Sequence, residues 1–186
     1  SGQVKDFRTF HIAGVRLENE LELGSVSHRF GGEVRRLWGD YDYALDLTVF
    51  PGVPFPGSPG STTTRSASPA PQGYENSAWW DMRTTLGKRL TVEAGVRVDV
   101  QTYDGSDDGE QWSPRTSVLY MLSPSTKLRA GWGRFYQSQG INELQVEDGV
   151  SRFYPAQHAD HAIVSVEHTF DGFDVRVEAY RKDYRD

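Results

Sequence analysis

Charged side chains recur at every second position along several segments of this 186-residue chain. Between positions 90 and 101, for example, Glu93, Arg97 and Asp99 alternate with apolar residues, most of them valine. Two carboxylates held close together can act as a general acid and a general base. Here, however, acidic and basic residues are mixed along the same face, and no two carboxylates stand out for that role. The sequence therefore predicts no enzyme.

A second group of polar side chains that could do chemistry consists of His158, Asp160 and His161. Metal ligands must converge at about 2 Å from the ion. In an extended segment neighbouring side chains point to opposite faces, so His158 and Asp160 share a face and His161 points away. The glycine-rich segments also do not fit the pattern that leads a phosphate-binding loop into a helix. We therefore predict neither a metal site nor a cofactor.

The alternation itself predicts β-strands, because successive side chains of a strand point to opposite faces. The dipeptide Asp171-Gly172 is a strong signal for a two-residue hairpin turn. Short and long connections alternate along the chain, which predicts an all-β fold, an antiparallel up-and-down meander of about eight strands. The predicted strands cover roughly residues 7–23, 28–47, 75–86, 89–104, 112–123, 126–136, 160–170 and 173–185.

The long connection at residues 51–73 is rich in proline, glycine and serine. Proline cannot donate to a strand ladder, and glycine weakens one. The composition therefore predicts a loop over this segment.

Strands with one apolar and one charged face occur both in soluble β-sandwiches and in outer-membrane barrels, where the apolar face meets lipid. The predicted strands have about ten residues or more, enough for a tilted membrane span. Aromatic residues also mark the two ends of the strands, as two membrane interfaces would require. Near the long loops they are Trp38, Trp79, Trp80 and Trp112, and near the tight turns Phe30, Tyr120, Phe170 and Phe173.

These features favour part of a transmembrane β-barrel and predict which side chains occupy each face. The residues predicted to face lipid are Leu90, Val92, Val96, Val98, Leu128, Val164, Val166, Val175 and Val177. The lumen charges, predicted to pair across neighbouring strands, are Glu93, Arg97, Asp99, Arg129 and Arg176.

The net charge, the cysteine count and the lengths of the apolar runs exclude further classes of function. The formal net charge of -6 argues against a nucleic-acid partner. The absence of cysteine excludes disulfides and thiol catalysis. The longest apolar run, Val118–Leu122, is far too short for a membrane helix, and the residues after Ser1 do not form a signal peptide.

Four segments resemble the β-barrel domain of TonB-dependent outer-membrane receptors, in the same order and with matching spacing. They are Leu86–Asp99, Trp112–Tyr120, Thr126–Gln137 and Phe173–Lys182. Complete members of that family hold an N-terminal plug domain inside a barrel of about 22 strands. Nothing in residues 1–186 resembles the plug, so we expect this chain to be an interior portion of the barrel.

The resemblance implies import of a scarce ligand, such as a siderophore or a carbohydrate, across the outer membrane of a Gram-negative bacterium. The implied partners are outer-membrane lipid, a small-molecule or oligosaccharide ligand, and TonB, the last only through a plug domain. Two alternatives stay open from the residues themselves. One is a small closed eight-stranded barrel with a structural or adhesion role, and the other is a soluble β-barrel or sandwich that binds a ligand.

The ligand is expected to meet this chain at the long connection between the strands predicted at 126–136 and 160–170. Binding residues concentrate in loops that a rigid scaffold holds, and this loop carries polar side chains together with two adjacent aromatic residues. Such a mixture suits a polar or sugar-like ligand, although it also suits packing within the loop. The candidate ligand-binding residues are Asn142, Glu143, Gln145, Phe153 and Tyr154.

Overall fold

The computed structural model describes residues 2–49, 61–103 and 109–185, which form nine β-strands and one short 3₁₀ helix at Val146–Asp148. The strands are β1 (Gly2–Leu23), β2 (Val26–Val49), β3 (Ser61–Ala67), β4 (Gln72–Leu86), β5 (Leu90–Gln101), β6 (Gln111–Ser123), β7 (Thr126–Gln137), β8 (Gln157–Phe170) and β9 (Phe173–Arg185). Within these ranges, no helix is long and apolar enough to cross a membrane.

The strands form one antiparallel sheet in the order β1-β2-β4-β5-β6-β7-β8-β9, with β3 paired to β2 beside this path. This order confirms the predicted all-β meander. Within the described ranges β1 and β9 are the ends of the sheet and are not hydrogen-bonded to each other. The sheet nevertheless curls. This is seen from Glu20 of β1 and Glu178 of β9, which line the same hollow of about 880 Å³.

Tight turns join β1 to β2, β4 to β5, β6 to β7 and β8 to β9 at one end of the sheet, which we call the lower end. At the predicted hairpin, Phe170 pairs with Phe173 across Asp171 and Gly172. Gly172 has a φ of 90°, a value that glycine adopts without steric cost. The described connections at residues 68–71 and 138–156 lie at the opposite, upper end.

β3 corrects the prediction that residues 51–73 form a loop throughout. Ser61–Ala67 pairs with Tyr43–Val49 of β2, whereas β4 pairs with the lower part of the same strand, from Val26 to Trp38. The prediction used the composition of the whole segment, in which proline and glycine are concentrated before position 61. Residues 50–60 lie outside the described ranges. Positions 61–67 contain neither proline nor glycine, and their threonines favour a strand.

The register divides the sheet into an outer face, which is mainly apolar but carries Arg134 and Asp160 near its upper end, and an inner face, which carries charges such as Glu93, Arg97 and Asp99. All nine residues predicted to face away from the charges lie on the outer face: Leu90, Val92, Val96, Val98, Leu128, Val164, Val166, Val175 and Val177. Many of these side chains are left uncovered, and Val177 is 68% exposed. The predicted separation of the two faces is thus confirmed.

Two parts of the predicted aromatic belts differ in the structure. Trp79 and Trp80 are neighbours in a strand, so they point to opposite faces, and Trp79 lies on the inner face with 8% of its surface exposed. Trp80 pairs with Phe30 of β2 on the outer face. Trp80 and Phe30 therefore lie at one level of the sheet rather than in two separate belts, because the antiparallel register brings them together.

Candidate binding site

The connection between β7 and β8, residues 138–156, folds inward and packs on the inner face of the upper part of β2. We call it the inward loop. Its buried apolar residues and those of the strands below form one cluster. That cluster consists of Leu37, Tyr41, Tyr43, Tyr103, Ile141, Leu144, Val146 and Phe153.

Hydrogen bonds from three strands hold the inward loop in this position. The Tyr41 hydroxyl donates to the Ile141 carbonyl oxygen at 2.7 Å and accepts from the Leu144 amide at 3.2 Å. The Arg8 guanidinium of β1 lies 2.9 Å from the Glu147 carboxylate, and Arg65 of β3 donates to the Glu147 carbonyl at 3.1 Å. The loop is therefore tied down by its backbone as well as by its apolar side chains.

Tyr103, which follows β5, connects the apolar cluster to a polar network. Its ring packs against Phe153 with 5.2 Å between the centroids. Its hydroxyl donates to the Glu75 carboxylate, which Arg35 also contacts. Burial raises the pKa of the Tyr103 phenol, and the Glu75 carboxylate raises that pKa further. Tyr103 is therefore neutral over the physiological pH range.

A polar cavity of about 320 Å³ lies beside this network, and we call it the upper cavity. It is lined by residues of five strands, β2 and β4 to β7, and by the first residues of the inward loop. Its charges belong to two ion pairs, Arg35 with Glu75 and Arg97 with Asp99, the latter at 2.7 Å. Because each charge has an opposite partner, these groups leave the cavity without a net charge.

All five predicted lumen charges lie on the inner face, but most do not pair as expected. Glu93 does meet a neighbouring strand, at 3.4 Å from Arg83 of β4. Arg97 instead pairs with Asp99, and Arg176 pairs with Glu178, in both cases two positions along the same strand. Arg129 has no ion pair within the described ranges. An arginine side chain is long enough to reach the next residue on its own face, which alternation alone does not reveal.

An important inner-face contact was missed at the sequence level. Asp81 of β4 lies 3.3 Å from Arg29 of β2 and 2.6 Å from Arg115 of β6. Arg115 reaches Asp81 across the intervening strand β5 at Gly95, where an added Cβ would overlap the Asp81 carboxylate. A glycine at an inward position of an otherwise regular strand was the available signal.

A second contact missed from the sequence surrounds Trp79. Its ring lies between two guanidinium groups, at 4.5 Å from that of Arg16 and 5.5 Å from that of Arg97. Gly31 on β2 provides the space, because a Cβ there would overlap the Trp79 ring. Such cation–π contacts stabilise a partly desolvated tryptophan on a charged face.

The structure separates the five predicted ligand-binding residues. Asn142, Glu143, Gln145 and Tyr154 are exposed, whereas Phe153 is 6% exposed and belongs to the apolar cluster. The Glu143 carboxylate also accepts a hydrogen bond from the Gly140 amide at 2.8 Å, so it orders the loop. Phe153 and Glu143 thus have packing and capping roles of their own.

His158, Asp160 and His161 lie where the extended geometry predicts. His158 stacks on Tyr136, and Asp160 lies 2.8 Å from Arg134 on the same outer face. His161 lies on the inner face, with its ring 4.8 Å from that of Phe135.

A family description, "TonB dependent receptor-like, beta-barrel", matches residues 2–186. The chain belongs to this TonB-dependent receptor family. Several solved structures are similar in fold. The ferric enterobactin receptor PfeA of Pseudomonas aeruginosa, in a mutant form, is 20% identical with a TM-score of 0.62, and the match covers 99% of this chain and 27% of PfeA.

Two other structures show the same fold at lower identity. The ferric citrate transporter FecA is 14% identical with a TM-score of 0.62, over 98% of this chain and 29% of FecA. The copper transporter OprC is 12% identical with a TM-score of 0.65, over 95% of this chain and 30% of OprC. This TonB-dependent receptor chain thus spans less than a third of the length of these proteins. Curated protein sequences include no match.

Proposed function

We propose that this chain forms part of the barrel wall of an outer-membrane receptor that imports a scarce ligand, such as a siderophore or a carbohydrate. The observation that carries the proposal is the division of one sheet into an uncovered apolar face and a charged face closed at its upper end by the inward loop. Family membership agrees with it. The proposal involves binding and passage, with no chemical step.

The outer face is proposed to meet the lipid of a Gram-negative outer membrane. Val15, Leu17 and Val177 are each 68% exposed, and a soluble protein rarely leaves a contiguous apolar surface of this kind uncovered. Apolar side chains facing outward from a sheet whose other face is charged are typical of barrels that span the outer membrane.

The energy for import is proposed to come from TonB. We propose that a plug domain makes the contact with TonB. The upper end of the sheet then faces the outside of the cell, where the ligand arrives.

Asn142, Gln145 and Tyr154 are the residues of the inward loop that we propose to contact ligand. Each is exposed, and Tyr154 keeps 53% of its surface uncovered. An amide, a second amide and an aromatic ring can bind a polar ligand by hydrogen bonding and stacking. Replacing all three with alanine in the full-length receptor should weaken ligand binding at unchanged surface expression. Unchanged affinity would assign these side chains to the loop alone.

Uptake in cells tests the proposed function as a whole. The gene for the full-length receptor is deleted, and accumulation of radio-iron enterobactin, radio-iron citrate, copper and radiolabelled maltose is compared with that of the parent strain. We expect a loss of uptake for one of these probes, and the same loss when TonB is deleted. Equal uptake of all probes by the parent and the deletion strain would count against an import role for these ligand classes.

A further inference from the structure

A row of four residues crosses neighbouring strands at one level of the inner face, below the inward loop. It consists of Arg115 of β6, Gly133 of β7, His161 of β8 and Lys182 of β9, each opposite the next in the ladder. Three of the four side chains are basic, and the row contains no carboxylate. We call it the basic row.

The guanidinium of Arg115 in this row is only partly balanced by an opposite charge. Arg115 lies 2.6 Å from the Asp81 carboxylate, and Arg29 of β2 lies 3.3 Å from the same carboxylate. Two guanidinium groups therefore share one carboxylate. This end of the basic row keeps an excess of positive charge.

The other two basic side chains have no acidic partner among the described residues. The Lys182 ammonium lies 6.0 Å from the centroid of the Tyr180 ring and forms no ion pair within the described ranges. The His161 ring packs on Phe135 at 4.8 Å, and in the same ranges its nitrogens form no hydrogen bond. An ammonium and an imidazole are thus available to an anion, which would also offset the excess charge.

An apolar row lies directly below the basic row. It consists of Ser117 of β6, Gly131 of β7, Ile163 of β8 and Tyr180 of β9. The strand β7 contributes only glycine to the two rows, so its backbone forms the floor of a groove between β6 and β8. We call this the glycine-floored groove, and its residues line the hollow of about 880 Å³.

The glycine-floored groove is open to a ligand. Tyr180 is 71% exposed, and Lys182 is also exposed, because the inward loop packs on the opposite side of the sheet, against β2. On the outer face of the same strands, the apolar residues end at the ion pair of Arg134 with Asp160. Since these two residues adjoin Gly133 and His161 in the chain, the groove lies at the end of the apolar band that is proposed to face the outside of the cell.

We propose that the glycine-floored groove is a subsite for a ring that bears a carboxylate, from an aromatic acid or a uronic acid. The carboxylate binds Lys182 and His161, whose Cα atoms lie about 5 Å apart as an antiparallel pair, so both head groups reach one anion. The ring lies over Gly131 and packs against the Tyr180 ring, an exposed aromatic face. The hollow is within the usual size of ligand pockets. This inference rests on the proposed import function and names the chemical class of its ligand.

The test measures binding to the full-length receptor in a detergent whose headgroup carries neither a sugar nor a carboxylate. Benzoate and galacturonate are the two acidic probes, and benzamide and galactose are their neutral counterparts. Saturation-transfer NMR titrations give the affinities. Lys182→Gln removes the ammonium, and Tyr180→Leu removes the aromatic ring. Arg185→Gln is the matched control, because it removes one positive charge from the outer face of the same strand.

We expect saturable binding of one or both acids, and weaker binding of the corresponding neutral compound. Lys182→Gln should weaken binding of the acid by about tenfold, the effect of one charge-assisted hydrogen bond at a partly exposed site. Tyr180→Leu should weaken it by about threefold. The control should bind as the native receptor does, and heat-modifiable migration on gels confirms that each variant is folded.

Failure of both acids to bind, equal binding of the neutral compounds, or unchanged affinity in the folded Lys182 and Tyr180 variants would overturn the subsite. The last result would place the acid elsewhere and assign the groove to another part of the receptor. Failure of the import function is a separate outcome, because uptake is measured with several other ligand classes. A receptor that imports copper but binds neither acid would keep its proposed function and lose only this inference.

Discussion

The upper end of the inner face and the region below the inward loop differ in what covers them. At the upper end, the inward loop packs on β2, and the side chains of Tyr41, Leu144 and Val146 are almost fully buried. Below the loop, near mid-strand, Asp81 and its arginine partners border the open hollow of about 880 Å³. The same strands therefore pass from an apolar region closed by their own chain to a charged region that this chain leaves open.

This difference means that the kind of contact on the inner face changes along the length of the strands. Apolar burial at the upper end holds a loop in one conformation, which is the condition for a defined binding cavity. The ion pairs below the loop are partly exposed and contribute little each. Changes at the upper end should therefore have large effects that stay local to the loop, and most changes on the lower inner face should have small ones.

The largest expected effect is from Leu144→Ala. Leu144 is 1% exposed in the centre of the loop cluster, and such a truncation costs about 2–5 kcal/mol, partly through the cavity that it leaves. Hydrogen exchange of the amides in residues 140–150 should accelerate strongly in the full-length receptor. The control is Leu119→Ala on the lower inner face, where Leu119 is only half-buried. Equal exchange in the two variants would show that the loop does not depend on its core.

Arginine at Val96 should have the next largest effect, because it tests the outer face at mid-strand. A charge on the lipid face near the membrane midplane costs about 2–4 kcal/mol. Unfolding in urea from lipid vesicles, followed by tryptophan fluorescence, measures this cost. Gly95 is an unsuitable inward control, since any side chain there displaces Asp81.

Ser117→Arg is the better inward control. Its hydroxyl donates to the Glu93 carboxylate at 3.0 Å, so an arginine there gains an opposite charge. Similar destabilisation by Val96→Arg and Ser117→Arg would contradict the assignment of the two faces.

A smaller effect is expected for Asp81→Asn, below the inward loop. The change removes the charge that joins Arg29 and Arg115, and each of those side chains is about half exposed. We expect a loss of about 1 kcal/mol in the free energy of unfolding. Asp174→Asn is the control, because Asp174 is exposed and has no ion pair in the described part of the chain. A loss as large as that of Leu144→Ala would show that the region below the loop is not the weaker one.

The smallest effect concerns pH at the upper end. Burial, reinforced by the Glu75 carboxylate, raises the pKa of Tyr103 above that of an unfolded chain, which is about 10. The folded state therefore keeps the phenol proton where the unfolded state loses it. The stability contributed is complete below pH about 10 and decreases as the pH rises beyond it. Hydrogen exchange of the loop should show this decrease in the native protein, and Tyr103→Phe should abolish it.

Alternation in the sequence was enough to predict the meander, the tight turns and the two faces. Val96 and Arg97 occupy opposite faces because neighbouring side chains in any strand do so. The resemblance to the TonB-dependent receptor barrel rests on four segments in which this alternation is regular. β3 was missed because its threonines follow a segment rich in proline and glycine, and the composition of the whole masked the local preference for a strand.

Contacts across strands depend on register, which alternation does not specify. The pairing of Phe30 with Trp80 and the reach of Arg115 over Gly95 to Asp81 both follow from how far one strand slides along the next.

The sequence by itself determined that this chain is a set of amphipathic strands, because period two is a property of the local backbone. Only the tertiary structure decided that residues 138–156 fold inward, that Phe153 packs while Tyr154 stays exposed, and that Gln101 and Gln111 meet at one cavity. These facts arise from contacts between residues far apart in the chain. Their energies depend on burial and geometry that exist only once the sheet has formed.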